Sequence, residues 1–212
     1  EAFGLVGDIT SENDLENIYE TINESYGKID FLILNAGVVN VSLLENYTDY
    51  HKMKEEIDID LWGTILSTRI FLPLLKPKSI ILMISSAFGL FGGAGYSVYC
   101  AAKAGIINFA DALRRELLYK DISVHVACSA DIDTPLLAKE TKSMPDWMLA
   151  EMSSRQGPMA PSKAAKIILK QCDKKRFMII TGSQLVLILF LKKILPQKIM
   201  RYLLDKTVPR PK

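Results

Sequence analysis

Tyr99 and Lys103 stand four residues apart in the segment YCAAK, and Ser86 precedes the tyrosine by thirteen residues. Four residues are about one helical turn, so a helix here sets the phenol and the ammonium on one face. A phenol with an ordinary pKa near ~10 is a poor acid–base group at neutral pH. A neighbouring ammonium favours the phenolate and draws that pKa toward the working range. A serine hydroxyl reaching the same point could hydrogen-bond a carbonyl oxygen while the tyrosine moves a proton to or from it. The set can therefore do proton transfer at an oxygen, with Tyr99 as acid or base, Lys103 as the tuning charge and Ser86 as the group that holds the oxygen. Tyrosine and lysine at this spacing are also common surface neighbours, and a lone loop serine is ordinarily solvated, so their place in the fold decides.

The flanking elements favour a common site. SIILMISS is an unbroken apolar run that delivers Ser86 at the end of a strand, and a Gly-rich loop, AFGLFGGAGYS, leads into a helix from about Val98 to Tyr119. IDFLILNAG and SVHVACSA are two more continuous apolar runs, and RFMIITG is a shorter one. Continuous apolarity marks strands covered on both faces, as in parallel sheets flanked by helices. Residues 3–10, FGLVGDIT, read as a further short strand, followed by a helix capped at Thr10 or Ser11 that carries Leu15, Ile18, Tyr19 and Ile22 and closes at Tyr26-Gly27. A long helix is expected over residues 52–75, with Gly63 in its middle, where another backbone approaches closely or the glycine is a neutral surface position. After Asp131 four prolines break the pattern, so residues 130–160 read as a substrate lid, and PSKAAKIILKQCDKK is again a helix. Alternating strands and helices specify a parallel α/β sheet with right-handed crossovers.

Composition removes several classes of function. The chain of 212 residues has 49% apolar and 24% charged residues, the balance of one folded domain. A net charge of +2 argues against a nucleic-acid surface. Three cysteines without CxxC spacing and two histidines without an HExxH pattern give neither a disulfide framework nor a metal site, and they fit a reducing, cytoplasmic compartment. The chain opens at Glu1 with no secretory signal, so processing or truncation is the expected reason for the missing Met.

Asn35-Ala36-Gly37, then Ser86, then Tyr99-x-x-x-Lys103, then Ile132-Asp-Thr-Pro occur in the order and spacing of the short-chain dehydrogenases/reductases, which the chain resembles over essentially its whole length. The resemblance implies a Rossmann-like, doubly wound, three-layer α/β fold over residues 1–182. It implies an enzyme that moves a hydride between NADP or NAD and a carbonyl or alcohol, with Tyr99 handling the proton. Carried over by position, Asp8 and Ile9 would meet the adenine of the cofactor, although Asp8 reads equally well as a helix-capping carboxylate. Asn35, Ala36 and Gly37 would let the cofactor pass close to backbone, and Lys103 would bond its nicotinamide ribose beside Tyr99. Ile132 and Thr134 would meet the carboxamide, and Leu90 to Gly95 would line the substrate side. The position of the family's catalytic Asn is occupied by Asp60, which could still hold a water or act on Lys103 as a charge. The resemblance also implies a homodimer or homotetramer.

The chain departs from that family in three places. No TGxxxGxG turn occurs in it, and it opens at what should be the third strand, so that roughly 60 residues of βαβ units, including the main phosphate-binding turn, are expected to be missing. Asp60 replaces an amide, and Ser129-Ala130 replaces a Pro-Gly pair. A long unpaired sheet edge is one expected consequence. A non-catalytic, truncated or decayed chain without nucleotide binding is the alternative these departures favour. Finally, residues 183–212 form a basic amphipathic segment: Leu185 to Leu191 are all apolar, too few for the ~20 a membrane span needs, and Lys192, Lys193, Lys198 and Arg201 follow. Such a segment would make a peripheral membrane contact, cover an apolar pocket, meet another subunit, or be a core helix with a solvated end. Membrane contact would make a lipid-like carbonyl or alcohol the natural small-molecule substrate.

Overall fold

A computed structural model of the chain describes residues 2–146, 148–149 and 157–206. β1 (Ile29–Leu34), β2 (Leu75–Ser86), β3 (Ser123–Ser129) and β4 (Met178–Thr181) lie side by side in chain order, each neighbouring pair parallel. The helices are α1 (Glu12–Tyr26), α2 (Tyr50–Glu56), α3 (Gly63–Phe71), α4 (Ser97–Glu116), α5 (Pro135–Ser143), α6 (Pro161–Asp173), α7 (Ser183–Ile194) and α8 (Gln197–Lys206).

Strand periodicity sorts the core into two layers. Ile81 and Met83 of β2, with Val124, Val126 and Cys128 of β3, pack against Ile106, Ala110 and Leu113 of α4. Leu82 and Ala127 point the other way, onto Ile168 and Cys172 of α6. Both faces of the inner strands are thus covered, the physical reason for their continuous apolar runs. The architecture is the expected Rossmann-like α/β sandwich. α1 packs on α3 and β1 through Leu15, Phe71 and Leu74. It begins where the Ser11 hydroxyl accepts the Asp14 N–H at 3.2 Å and ends at Gly27, whose φ of +68° suits a residue without Cβ.

Three expectations are corrected. Residues 3–10 join no ladder: the segment lies beyond the edge strand β1, which pairs only with β2 among the described residues, and a strand without a partner's backbone groups has nothing to hold it. Local bonds take over instead, the Asp8 carboxylate accepting both the N–H and the hydroxyl of Thr10 at 2.8 Å. The helix expected over 52–75 starts earlier, at Tyr50, and its middle, Ile57–Trp62, is wound as a π-helix. It ends at Phe71, and a short turn at Leu72–Leu74 containing Pro73 hands the chain to β2 at Leu75. Gly63, where the π segment meets α3, is buried, and a Cβ there would lie 2.9 Å from Ile9 Cγ1. The close approach is made by the Ile9 side chain rather than by another backbone.

The C-terminal segment is two helices that meet at Leu195-Pro196, with Leu185 and Met200 buried and Leu187, Phe190, Ile199 and Tyr202 exposed. No described helix is long and apolar enough to cross a membrane. Residues 207–212, and residues 147 and 150–156 of the expected lid, lie outside the described residues.

Candidate active site

The site is assembled where β2 ends and α4 begins. Ser86 is the last residue of β2; its oxygen accepts the Phe88 N–H at 3.2 Å while its hydroxyl bonds the phenol of Tyr99. Tyr99 and Lys103 share one face of α4, with the Lys103 Nζ 5.4 Å from the tyrosine ring centroid. Ser85, one residue earlier on the opposite strand face, donates to the Lys103 carbonyl at 2.9 Å and so ties α4 to β2. The three residues singled out by spacing therefore do converge.

Lys103 does not act on Tyr99 as the spacing alone would have it. Its ammonium is ion-paired with Asp60 Oδ2 at 2.9 Å, both side chains being buried. The other carboxylate oxygen of Asp60 accepts the Val38 N–H at 2.7 Å, which anchors the loop after β1. Burial pushes the Asp60 pKa up, and Lys103 opposes the rise. The Tyr99 pKa is likewise raised above the ordinary phenol value, first by burial and next by the negative charge of Asp60; only the Ser86 hydrogen bond works the other way. Lys103, held by Asp60, is not among the groups that set this direction.

The remaining predicted residues divide. Gly37 belongs to the cluster: a Cβ on it would lie 3.1 Å from Lys103 Nζ and 3.4 Å from Asp60 Oδ1, tight enough that the ion pair would have to shift by a few tenths of an ångström. Asn35 and Ala36 are exposed at the end of β1. Asp8 is exposed, and its hydrogen bonds to Thr10 lower its pKa; it closes a turn ahead of α1, whose cap is Ser11, while its own N–H donates to Asp14 at 2.8 Å. Ile9 fills the notch at Gly63. Ile132 bridges to Met159, and Thr134 caps α5, its hydroxyl donating to the Ile132 carbonyl at 3.3 Å.

Two features escape reasoning from spacing. Glu56, one turn before Asp60, is fully buried (0% exposed), its Oε1 accepting the Asn40 N–H at 2.5 Å. Burial pushes its pKa up to about 7, with Asp60 and Glu55 adding to the rise and Lys103 opposing it. The run EEIDID was the available signal, two carboxylates one turn apart, but an exposed acidic helix face looks the same in sequence. The second feature is an aromatic wall: Phe88 lies edge-on to Tyr99 and stacks on Tyr96, whose hydroxyl donates to Glu140 of α5 at 2.5 Å. Val39, Met144 and Met148 complete that apolar side.

Comparison with known proteins now has a structure to rest on. Residues 1–145 match the family model for short chain dehydrogenase, and the chain belongs to that family, whose members are NAD(P)-dependent oxidoreductases. It is 31% identical over 204 residues to 11-beta-hydroxysteroid dehydrogenase-like 2 of Arabidopsis thaliana, covering 95% of this chain and 63% of that protein. It is 28% identical over 184 residues to the 3-oxoacyl-[acyl-carrier-protein] reductase FabG of Escherichia coli, covering 86% of this chain and 74% of that one. The chain thus spans less than two thirds of the plant relative, and 54% of a second one, 11-beta-hydroxysteroid dehydrogenase-like 6. The fold is shared with a short chain dehydrogenase/reductase from Burkholderia phymatum solved in complex with NAD, at a TM-score of 0.77 and 18% identity, over 90% of this chain and 74% of that one.

Proposed function

We propose that this chain carries the proton-transfer half of an NAD(P)-dependent oxidoreductase that interconverts a carbonyl and an alcohol on an apolar, lipid-like substrate. The observation that carries the reading is the Tyr99 phenol, bonded by Ser86 and standing beside Lys103 at the mouth of an aromatic wall. A phenol with a raised pKa is a proton donor at neutral pH, so Tyr99 would give its proton to a carbonyl oxygen that the Ser86 hydroxyl also holds. Phe88, Tyr96, Met144 and Met148 would exclude water from that oxygen and receive the apolar body of the substrate.

The cofactor's fit is one-sided. NAD(P), when bound, supplies or accepts the hydride. Tyr99 and Lys103, the cleared space over Gly37 and the exposed Asn35 and Ala36 suit its nicotinamide and ribose, with Ile132 and Thr134 following β3, and no TGxxxGxG turn occurs in the 212 residues to hold its pyrophosphate. The second reading is a retained fold without nucleotide binding. Fluorescence titration of the full gene product with NADH and NADPH separates the two, and a carbonyl panel with Tyr99→Phe as control tests the chemistry. The expected result is binding, with turnover falling ~10²-fold or more in Tyr99→Phe; turnover that survives the substitution refutes the proposal.

The C-terminal helices would serve a peripheral membrane contact. On α8, Ile199, Tyr202 and Leu203 are exposed near Lys198 and Arg201, and on α7 Lys192 donates to the Leu90 carbonyl at 2.7 Å, joining this segment to the substrate-side loop. Liposome co-sedimentation with and without residues 183–212 checks this; equal recovery in the supernatant would end it.

A further inference from the structure

Three ionisable side chains meet behind Tyr99 with almost no access to water: Lys103 is 5% exposed, and Asp60 and Glu56 are 0% exposed. The groups facing Glu56 are its helix neighbour Glu55, Asp60 on the π segment, Lys103 from α4, and Tyr47 and the Asn40 backbone from the loop after β1. Lys103 alone among them is a cation. Two buried carboxylates against one buried ammonium leave an excess negative charge in a low-dielectric space, which a retained proton removes at far lower cost. Asp60 holds the ammonium at 2.9 Å, so Glu56 is the carboxyl left to be protonated.

The hydrogen bonds around Glu56 fit that assignment. Its Oε1 already accepts the Asn40 N–H, while Oε2 accepts no well-formed hydrogen bond and the Tyr47 phenol lies close to the carboxyl. A buried carboxylate oxygen without a donor is costly, whereas a carboxylic O–H at that position is itself a donor. The neighbouring Tyr47 phenol donates its own proton to the Asn40 carbonyl at 3.0 Å, which leaves its lone pairs to accept, and this tyrosine is only half-buried. Tyr47 therefore stands between Glu56 and the surface, and a turn of its O–H from the Asn40 carbonyl to Glu56 would hand a proton inward. The π winding of Ile57–Trp62 is the local device: its wide turn sets Glu56 and Asp60 on the same inward face, and single π turns of this kind recur at functional sites.

We propose that Glu56 and Asp60 share one proton as the reservoir that refills Tyr99 through Lys103, with Tyr47 as its connection to solvent. The assignment rests on Tyr99 being the proton donor. In the reductive direction the Tyr99 O–H bond breaks as the substrate O–H bond forms. An N–H of Lys103 then reprotonates the phenolate, which leaves a neutral amine. The shared proton passes from Glu56 to Asp60 and on to Nζ, and Glu56 recovers a proton from solvent by way of Tyr47. Only protons move through the relay, and one solvent proton is delivered per substrate oxygen. Glu56 is a positioning and relay residue, because it touches Tyr99 only through two others.

Infrared titration of the full gene product, without cofactor or substrate, tests the reservoir directly. Wild type is expected to show a carboxylic-acid C=O band at about pH 6 that is lost by about pH 9, and Glu56→Gln is expected to lack it. Tyr47→Phe keeps both carboxyls and is expected to keep the band. In turnover, Glu56→Gln and Tyr47→Phe are both expected to lower kcat at least about tenfold with little change in KM, short of the ~10²-fold or more for a group that transfers the proton itself. A wild-type spectrum identical to that of Glu56→Gln overturns the proposal, as does a kcat–pH profile that neither substitution alters. If Tyr99→Phe proves fully active while the band behaves as expected, the failure belongs to the assignment of Tyr99 and not to the shared proton.

Discussion

The two sides of the candidate cleft are built to opposite standards. Around Lys103 buried polar groups are tied to other elements: Asp60 to Val38, Glu56 to Asn40, Ser85 to the α4 backbone. Along β1 and the segment before α1, by contrast, Ile33 is 53% exposed, Asn35 and Ala36 are open, and residues 3–8 are exposed without ladder partners. Both sides carry motif residues of the family, so motif content does not predict local order. What separates them is coverage. β2 and β3 have a strand on each side and helices on each face, while β1 has a strand on one side only among the described residues. Charge placed in the covered region becomes a strong, specific determinant; charge on the open side, such as Asp8, stays part of a local turn.

Substitutions can break this contrast. Lys103→Met should have the largest effect, because it strands Asp60 without its cation; removal of one member of a buried pair costs ~3–5 kcal/mol. Urea unfolding at neutral pH measures it, and a loss below about 1 kcal/mol would mean that the cluster is not sealed from water. Glu56→Gln should show the pH dependence of the same cluster. A carboxyl whose pKa is raised to about 7 in the folded state keeps a proton that the unfolded chain sheds near pH ~4.5. The folded state is therefore favoured below that value, and wild-type stability falls as pH rises from about 4.5 to about 7, by on the order of 3 kcal/mol, and then levels. Glu56→Gln should flatten that slope and melt above wild type at alkaline pH; parallel melting curves for the two proteins across the window would contradict it.

Gly37→Ala is next. Its new Cβ would stand 3.1 Å from Lys103 Nζ and shift the ion pair with Asp60, at ~1–3 kcal/mol by the usual cost of overpacking. Thermal melting reads this, and the same experiment on Gly37→Ala/Lys103→Met should give less than the sum of the two losses, since both act on one ion pair. Smallest should be Ile33→Lys on the open strand, within ~0.5 kcal/mol of wild type. A large loss there would show that β1 is covered in solution by something that packs on it.

Much of the fold was legible because it is encoded locally. SVHVACSA reads as a doubly covered strand from its own composition, and β3 occupies Ser123–Ser129. Pro161 marks the first turn of α6 and Gly27 the end of α1 for reasons internal to those segments. The same holds for the turn that puts Tyr99 beside Lys103. Residues 3–10 misled because a strand's partner lies elsewhere in space, and local composition cannot supply it. The π winding at Ile57–Trp62 had no signal in residue type. It lies where Leu61 packs against Gly105 of α4 and Ile9 against Gly63, contacts between segments far apart in the chain.

By itself the sequence determined the class of fold, the family, and the presence of a phenol and an ammonium on one helical face with a serine at the end of the preceding strand. Those follow from periodicity and fixed spacing, which short-range backbone geometry sets. Tertiary structure alone decided what the lysine does. Asp60 arrives from a different helix, Gly37 leaves space beside it, and burial multiplies the charge between them, so the ammonium is held by a carboxylate. Glu56 shows the same division: four residues of spacing place it beside Asp60, but only the packing of α2, α4 and the loop after β1 removes the water that would otherwise leave it an ordinary surface acid.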